Sequence, residues 1–480
     1  MFTTAPLFGK FHSPLQDAAR PLRHRPLHHL ASLCDQRLDP AFLAPNPSHA
    51  NSRQRLYFPK LTFLAFLDQT LSPDSSCRRA VRQIRAYYQK QPDPQRLDQD
   101  TSAYCQARAR WSLDELIQIR SHLAHHTTRE ALLLGLPTLR ALKVVDGTCL
   151  NLPDTQANRQ AYPQSQDQQP QCGFPLLRLV SVFSLETGAL LERAYAPYTT
   201  SENALYQSLW PTFQKGDLLL GDRQFGSWGA LASLQGLGVD GLFRLHASRN
   251  QDFRQGQFLG ANDRLVTWAK PGNQPANLTP EQYQALPATL TVRLVRFRVP
   301  TANGRCKKIT LVTTLTDPTL WPVEALAALY ARRWKIELFL DDIKTTLHLE
   351  KLSCLTPAMI HKELEMHLIA YNLIRSLMSE AASACHVPLD RLSFKGTLDT
   401  ACQYSQTLAQ IPASYRKLRQ QVYADMLAVI AEDQVPERPD RFEPRCQKRR
   451  PKNYPFMTRP RRELQAAGKD HLPSRSHHRA

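Results

Sequence analysis

The chain is 480 residues long and 42% hydrophobic, enough for two or three domains with a sizeable core. Lys and Arg number 61 against 42 Asp and Glu, a formal charge of +19 with a pI near 9.6, which points to nucleic acid or an anionic membrane as partner. No apolar run approaches the ~20 residues of a spanning helix, and Met1 to Leu30 is broken by Pro, His and Arg where a signal peptide needs a continuous apolar segment. The expectation is a cytoplasmic protein with no membrane contact.

The ten cysteines, at 34, 77, 105, 149, 172, 306, 354, 385, 402 and 446, include no Cys-x-x-Cys pair, so neither a zinc ribbon nor a thioredoxin-like site is indicated. Cys149 follows Asp146 by three residues, but no base lies near it in sequence to make it a nucleophile.

In chain order, residues 1–55 are rich in Pro, His, Arg and Ser without periodicity and read as a loosely ordered basic arm. Residues 56–135 turn helical. Leu61, Leu64, Phe66 and Leu67 mark a helical face that continues to Leu71; Pro73 interrupts it, and Ser75 or Ser76 can cap a second helix through Val81, Ile84 and Tyr88. That second helix carries Arg78, Arg79, Arg82 and Arg85. Two short helices with four arginines on the second suit a module that grips DNA; the plain alternative is a basic solvated face.

Residues 136–385 carry the strand signals. Leu142, Val144 and Val145 suit a strand and Gly147 permits a sharp exit, so Asp146 is expected at a strand terminus. Leu176–Leu185 and Leu190–Ala196 flank Glu-Thr-Gly-Ala as the arms of a hairpin would. A short apolar run ends at Asp222, in the manner of a strand buried on both faces, and Val239 to Leu245 makes a fifth strand. The fold class expected is α/β, a mixed five-stranded sheet with helices on its faces. Asp222 and Glu337 are 115 residues apart, more than one helix and one strand need, so an insertion is expected at about 246–320. It reads as β. Leu290, Val292 and Leu294 alternate with Thr and Arg, then Val295, Phe297 and Val299 continue on the other parity, as a bulge would cause.

Tyr330, Arg333, Glu337 and Lys344 follow at spacings of three, four and seven. At roughly 100° per residue they fall within an arc of about 60° on one helical face. Ile336, Phe339, Ile343 and Leu347 lie on another face, so burial there would aim the charged stripe outward. Thr356-Pro357 opens a long helix toward Ala384, with Thr as the cap and Pro in the first turn. In the C-terminal region, 386–480, the last forty residues hold 12 Lys or Arg against 3 Asp or Glu and read as a disordered basic tail.

An Asp that ends a strand is often only a turn former, and a charged stripe is often only a solvated face. Together, however, Asp146, Asp222 and Glu337 supply three carboxylates, the hard oxygen donors that magnesium prefers. A pair of such ions can activate a water on one side of a phosphorus and stabilise the leaving oxygen on the other.

Three blocks carry a resemblance: Asp146-Gly-Thr-Cys-Leu-Asn-Leu-Pro-Asp-Thr-Gln-Ala-Asn158, Asp222-Arg-Gln-Phe225, and the Tyr-Arg-Glu-Lys stripe. In this order, from about Leu61 to about Ala382, the chain resembles the DDE transposases of bacterial insertion sequences, the cut-and-paste group with the Tyr-Arg-Glu-Lys signature. The resemblance implies an RNase H-like catalytic core over 136–385, with Asp146, Asp222 and Glu337 as catalytic residues holding two magnesium ions, for which manganese would substitute. It implies that Tyr330, Arg333 and Lys344 touch DNA phosphates near the transposon end. It further implies a β insertion that contacts that end and can stack an unpaired base on a Trp, for which Trp268 and Trp321 are candidates; Trp334 is expected to pack in the core beside the site. Arg78, Arg82 and Arg85 are the candidate DNA contacts of the N-terminal helices. The activity expected is cutting at the ends of an insertion sequence and joining to target DNA, by a homodimer on double-stranded DNA, in a bacterial, nucleoid-associated setting. A metal-dependent nuclease without strand transfer, and an inactive transposase-derived DNA-binding protein, are the alternatives. A glycoside hydrolase with two carboxylates fits the charge poorly.

Overall fold

The computed structural model describes residues 31–44, 56–72, 74–89, 97–133, 140–249, 252–275, 277–300, 306–412, 414–436 and 457–469. Most of the basic arm and most of the basic tail expected from sequence lie outside these residues. Within them, both carry structure that their composition did not announce. Helix α1 (Ala31–Arg37) buries Leu33 and Cys34, and Leu38 just after it is buried too. A further helix spans Arg461–Lys469 inside the tail.

Four helices follow α1: α2 (Pro59–Leu71), α3 (Cys77–Tyr88), α4 (Ser102–Arg110) and α5 (Leu113–Leu133). Residues 61–70 of α2 are all buried, so it is a helix covered all round where the sequence suggested one face. Burial of Phe63 and Phe66 alone contributes roughly 1.5–3 kcal/mol each. Ser76 caps α3, its hydroxyl accepting from the Arg79 N–H at 3.2 Å.

The first strands are β1 (Leu142–Asn151), β2 (Leu176–Ser184), β3 (Leu190–Pro197), β4 (Leu218–Gly221) and β5 (Asp240–Arg244). The short α6 (Gln156–Ala161) follows β1, α7 (Glu202–Leu209) follows β3, and α8 (Trp228–Gly236) joins β4 to β5. β1, β2 and β3 form an antiparallel meander, while β4 and β5 continue the sheet parallel to β1. Four more strands come from the insertion: β6 (Gln257–Gly260), β7 (Asp263–Ala269), β8 (Thr289–Pro300) and β9 (Cys306–Thr313), with α9 (Pro280–Ala285) between β7 and β8. β9 pairs antiparallel with β5, and the full order is β3-β2-β1-β4-β5-β9-β8-β7-β6. The sheet therefore has nine strands, not five. The insertion does not stand apart as a separate layer; it pairs along β5, an edge whose open N–H and C=O groups would otherwise invite other chains.

The bulge expected in β8 is absent. β8 keeps unbroken register with β7 and with β9. The apolar parity changes because both faces of the strand are covered: Leu290, Val292 and Leu294 enter the core that also holds α7 and α8, while Val295 enters the core on the other face. Arg293 is fully buried within this stretch and forks onto Asp263 at 2.8 and 2.6 Å.

The second core contains α2 to α5 and the C-terminal helices: α10 (Val323–Ala331), α11 (Lys335–Asp341), α12 (Pro357–Ala384), α13 (Phe394–Gln410) and α14 (Arg416–Glu432). The helical region before residue 135 thus shares one hydrophobic core with the sheet. α12 is the hub of this layer. Its Thr356 makes no side-chain cap bond, contrary to expectation; Glu363 instead gathers the Ser353 and Cys354 N–H groups at 2.9–3.0 Å. Asn372 pairs with both the N–H and C=O of Leu190, closing the outer edge of β3. Glu365, fully buried, binds Arg120 of α5 at 3.1 Å and Arg193 of β3, locking helix, hub and sheet together.

Candidate active site

Parallel pairing between β1 and β4 runs from Leu142↔Leu218 to Val145↔Gly221 and stops there. One step further along each strand stand Asp146 and Asp222. Asp146 is therefore not at a strand terminus, as expected, because β1 continues beside β2 to Asn151. What ends at Asp146 is its pairing with β4. Gly147 supplies no sharp exit either, since it lies within the continuing strand and is not among the glycines with positive φ. Its missing side chain makes room for Glu202 of α7, against which a Cβ would stand at 2.9 Å.

Burial pushes the Asp146 carboxyl up from 3.8 to about 6. The Gly147 N–H, bonded to it at 2.8 Å, and Arg333 pull it down, while the charges of Asp222 and Glu202 raise it. Asp222 sits at a turn and accepts from the Arg223 N–H at 2.7 Å.

The signature residues do not lie on one uniform helix. α10 ends at Ala331, Arg332–Trp334 form a 3-10 turn, α11 follows, and a π turn spans Asp342–Thr346. Ile336, Phe339, Ile343 and Leu347 are buried as the periodicity requires. The stripe does not point wholly outward, however. Tyr330 and Arg333 are 4% and 5% exposed and turn toward the strand ends, whereas Glu337 and Lys344 are more open. The 3-10 turn and the π turn interrupt the regular helical spacing along the stripe.

Arg333 occupies the centre of the cluster. Its Nη1 lies 3.9 Å from Asp146 Oδ2, its Nη2 lies 3.8 Å from Glu337 Oε1, and the guanidinium stacks against the Tyr330 and Trp334 rings. Both ionic distances exceed hydrogen-bond length, and its Nε has no partner. A buried guanidinium with donors to spare is suited to a phosphate oxygen. Tyr330 has its hydroxyl pushed up to about 12, chiefly by burial, so it stays a neutral donor. Lys344 reaches Glu350 at 3.7 Å. Trp334 is 50% exposed, which corrects the expectation that it packs in the core.

Among the described residues no three His, Cys, Asp or Glu side chains are drawn close enough together to hold an ion. The chemistry of the donors nonetheless fits a hard divalent cation. Asp146 and Asp222 are all-oxygen neighbours, Asp146 carries an electrostatic burden from two other carboxylates, and Glu337 is reached through Arg333.

Away from this cluster, Arg78, Arg82 and Arg85 line a cleft of about 410 Å³ with Val81, Gln99 and Asp100. The fourth arginine, Arg79, turns to Asp68 at 3.4 Å. Trp268 is half-buried on β7 with the Arg249 guanidinium 4.7 Å over its ring. Trp321 is half-buried too, and its carbonyl accepts from Arg293 at 2.8 Å. Arg293 was not singled out by sequence reasoning; it clamps the segment that leads from the insertion into α10.

No described helix is long and apolar enough to cross a membrane. Residues 138–373, which include Asp146, Asp222, Tyr330, Arg333, Glu337 and Lys344, match the family model described as a transposase DDE domain. The chain is 27% identical over 366 residues to the transposase InsG for insertion sequence element IS4 of Escherichia coli (strain K12), covering 74% of this chain and 78% of InsG. It is 30% identical over 188 residues to the putative transposase InsZ of the same organism, covering 39% of this chain and 56% of InsZ. A solved piggyBac transposase synaptic complex with hairpin DNA resembles it at a TM-score of 0.41 and 12% identity, over 84% of this chain and 86% of that one, too distant a likeness to carry an argument. The DDE-domain match spans the carboxylate cluster and the likeness to the IS4 transposase InsG runs along about three-quarters of both proteins, so the DDE transposases of the IS4 family are what the chain resembles.

Proposed function

We propose that the protein cuts DNA at the ends of its insertion sequence and joins them to target DNA by metal-dependent phosphoryl transfer. The carrying observation is the placement of Asp146 and Asp222 one step past the last β1–β4 pair, with Arg333 bridging toward Glu337. The strand order β3-β2-β1-β4-β5, with β4 and β5 parallel to β1, supports an RNase H-like core beneath them.

Asp146, Asp222 and Glu337 would hold two magnesium ions, or manganese in their place, which supply an activated water and charge compensation at the leaving oxygen. The chain's own share is positioning and electrostatics. Arg333, buried and with a free donor, fixes a phosphate beside the carboxylates. Tyr330 adds a neutral hydroxyl in the same wall, and Lys344 a point charge at its outer end. Once an anion arrives, Arg333 is drawn from the carboxylates, which leaves Glu337 to turn toward the two aspartates. Arg78, Arg82 and Arg85 would grip duplex phosphates further from the scissile bond, and Trp268 or Trp321 would stack a base in the insertion. Two ends must be joined in one event, so the working form is a homodimer on DNA.

The test is product analysis with the DNA that flanks this gene as duplex substrate, in magnesium. Joined strands in addition to nicks establish transposition. Nicks alone point to a nuclease, and binding without metal-dependent products points to an inactive descendant.

A further inference from the structure

Cys77 is the first residue of α3 and Cys105 lies in the middle of α4, and their Sγ atoms stand 3.7 Å apart. Two free thiols are thus in contact, and closing the gap to a disulfide of about 2.05 Å needs a shift that a side-chain rotation can supply. Cysteines that serve only as small hydrophobes are buried, as Cys34 and Cys354 are. Cys77 and Cys105 are half-buried, and the exposed Ser76 and Arg78 flank Cys77, so a small solute can reach the pair.

The surroundings favour thiolate chemistry. Gln69 of α2 donates from Nε2 to the Ser75 carbonyl at 2.6 Å and toward Cys77 Sγ at 3.6 Å, while its Oε1 accepts from the Tyr104 hydroxyl at 2.8 Å and Arg108 Nη1 at 2.9 Å. Arg108 is buried over the Phe66 ring, and its Nε has no partner. Among the described residues no carboxylate pairs with it; the ionisable groups that act on it most are Cys354, Tyr104, Cys77 and Cys105. Burial, then the neighbouring Cys77, push the Cys105 thiol up, and Arg108 pulls it back.

All six residues that line the cleft on α3, from Arg78 to Asp100, fall between Cys77 and Cys105 in the chain. A bond between the two sulfurs would close the chain around the whole lining and tie the arginine-bearing helix to α4. We propose that Cys77 and Cys105 form a redox modification site, at which a low-molecular-weight disulfide such as oxidised glutathione converts the dithiol into an intramolecular disulfide. The Cys77 thiolate attacks one sulfur of the oxidant and expels a thiolate, leaving a mixed disulfide; the Cys105 thiolate then attacks Cys77 Sγ and expels the other. The protons given up by the two cysteines pass to the two expelled thiolates, so the pair is oxidised by two electrons while the glutathione disulfide is reduced to two thiols.

The full chain, first reduced and then equilibrated with oxidised glutathione, is digested without reductant and read by mass spectrometry, for wild type, Cys105→Ser and Cys77→Ser. Wild type should give peptides joined through Cys77 and Cys105 as its main internal cystine, separated again by dithiothreitol. Cys105→Ser should carry glutathione on Cys77 roughly tenfold more than wild type, since nothing resolves the mixed disulfide. Cys77→Ser should leave Cys105 without an internal partner, and it carries the test if Cys105→Ser does not fold. The oxidised wild type should melt above its reduced form, a gain absent from both variants. Free thiols or lasting glutathione adducts at both positions of the wild type, or pairing of either with another cysteine such as Cys354, would overturn the assignment. A linked protein that melts below the reduced one would overturn it too, by showing that the helices are not poised for the bond.

Discussion

Asp146 is held at about 6 in the folded protein against an ordinary 3.8, so its ionisation opposes folding in the absence of metal. Below the unfolded value the carboxyl is protonated in both states and no penalty exists. As pH rises from about 4 through about 6, the unfolded chain releases the proton first and stability is lost. At about 1.4 kcal/mol per pH unit the penalty at neutral pH is roughly 3 kcal/mol. Asp146→Asn removes the charge and keeps an oxygen to accept from the Gly147 N–H. In a chelating buffer at pH 7 the variant should therefore be more stable than wild type by up to about 3 kcal/mol, a rise of several degrees in melting temperature. The gain should shrink steadily toward pH 4. Adding Mg²⁺ or Mn²⁺ should raise the melting temperature of the wild type and leave that of the variant nearly unchanged. A variant no more stable than wild type at pH 7, or a gain that persists unaltered at pH 4, would refute the picture of a strained, metal-seeking carboxylate.

Asp263→Ala strands the fully buried Arg293 and should cost about 3–5 kcal/mol in urea unfolding; a loss below ~1 kcal/mol would show that the fork does not clamp the insertion to α10. Arg82→Ala should weaken duplex DNA binding uniformly across sequences and lower the slope of log affinity against log salt by about 0.9, and an unchanged slope would remove the cleft on α3 from the DNA path. Arg333→Lys keeps the charge but loses the fork, so it should lower the cleavage rate more than DNA affinity; equal losses in both would place Arg333 in general DNA binding instead.

The chemistry of the site was more legible in the sequence than its geometry. Asp146 and Asp222 could be picked out because each follows a short apolar run, and the stripe from Tyr330 to Lys344 because its spacing is helical. The sequence could not show that β1 continues past Asp146, since the end of a pairing is set by the partner strand. It could not show that a 3-10 turn and a π turn interrupt the helical spacing of the stripe, because helix type depends on packing. The change of apolar parity in β8 looked like a bulge, although coverage of both faces by two cores produces the same pattern without one.

The most direct measurement is cleavage of a labelled duplex that carries the boundary of this element, with magnesium or manganese, by wild type and by Asp222→Asn. Specific nicking at the boundary that requires the metal and vanishes in the variant is the predicted result. Equal cutting by both proteins, or DNA binding without metal-dependent cutting by either, would contradict a catalytic role for the carboxylate pair at the ends of β1–β4 pairing.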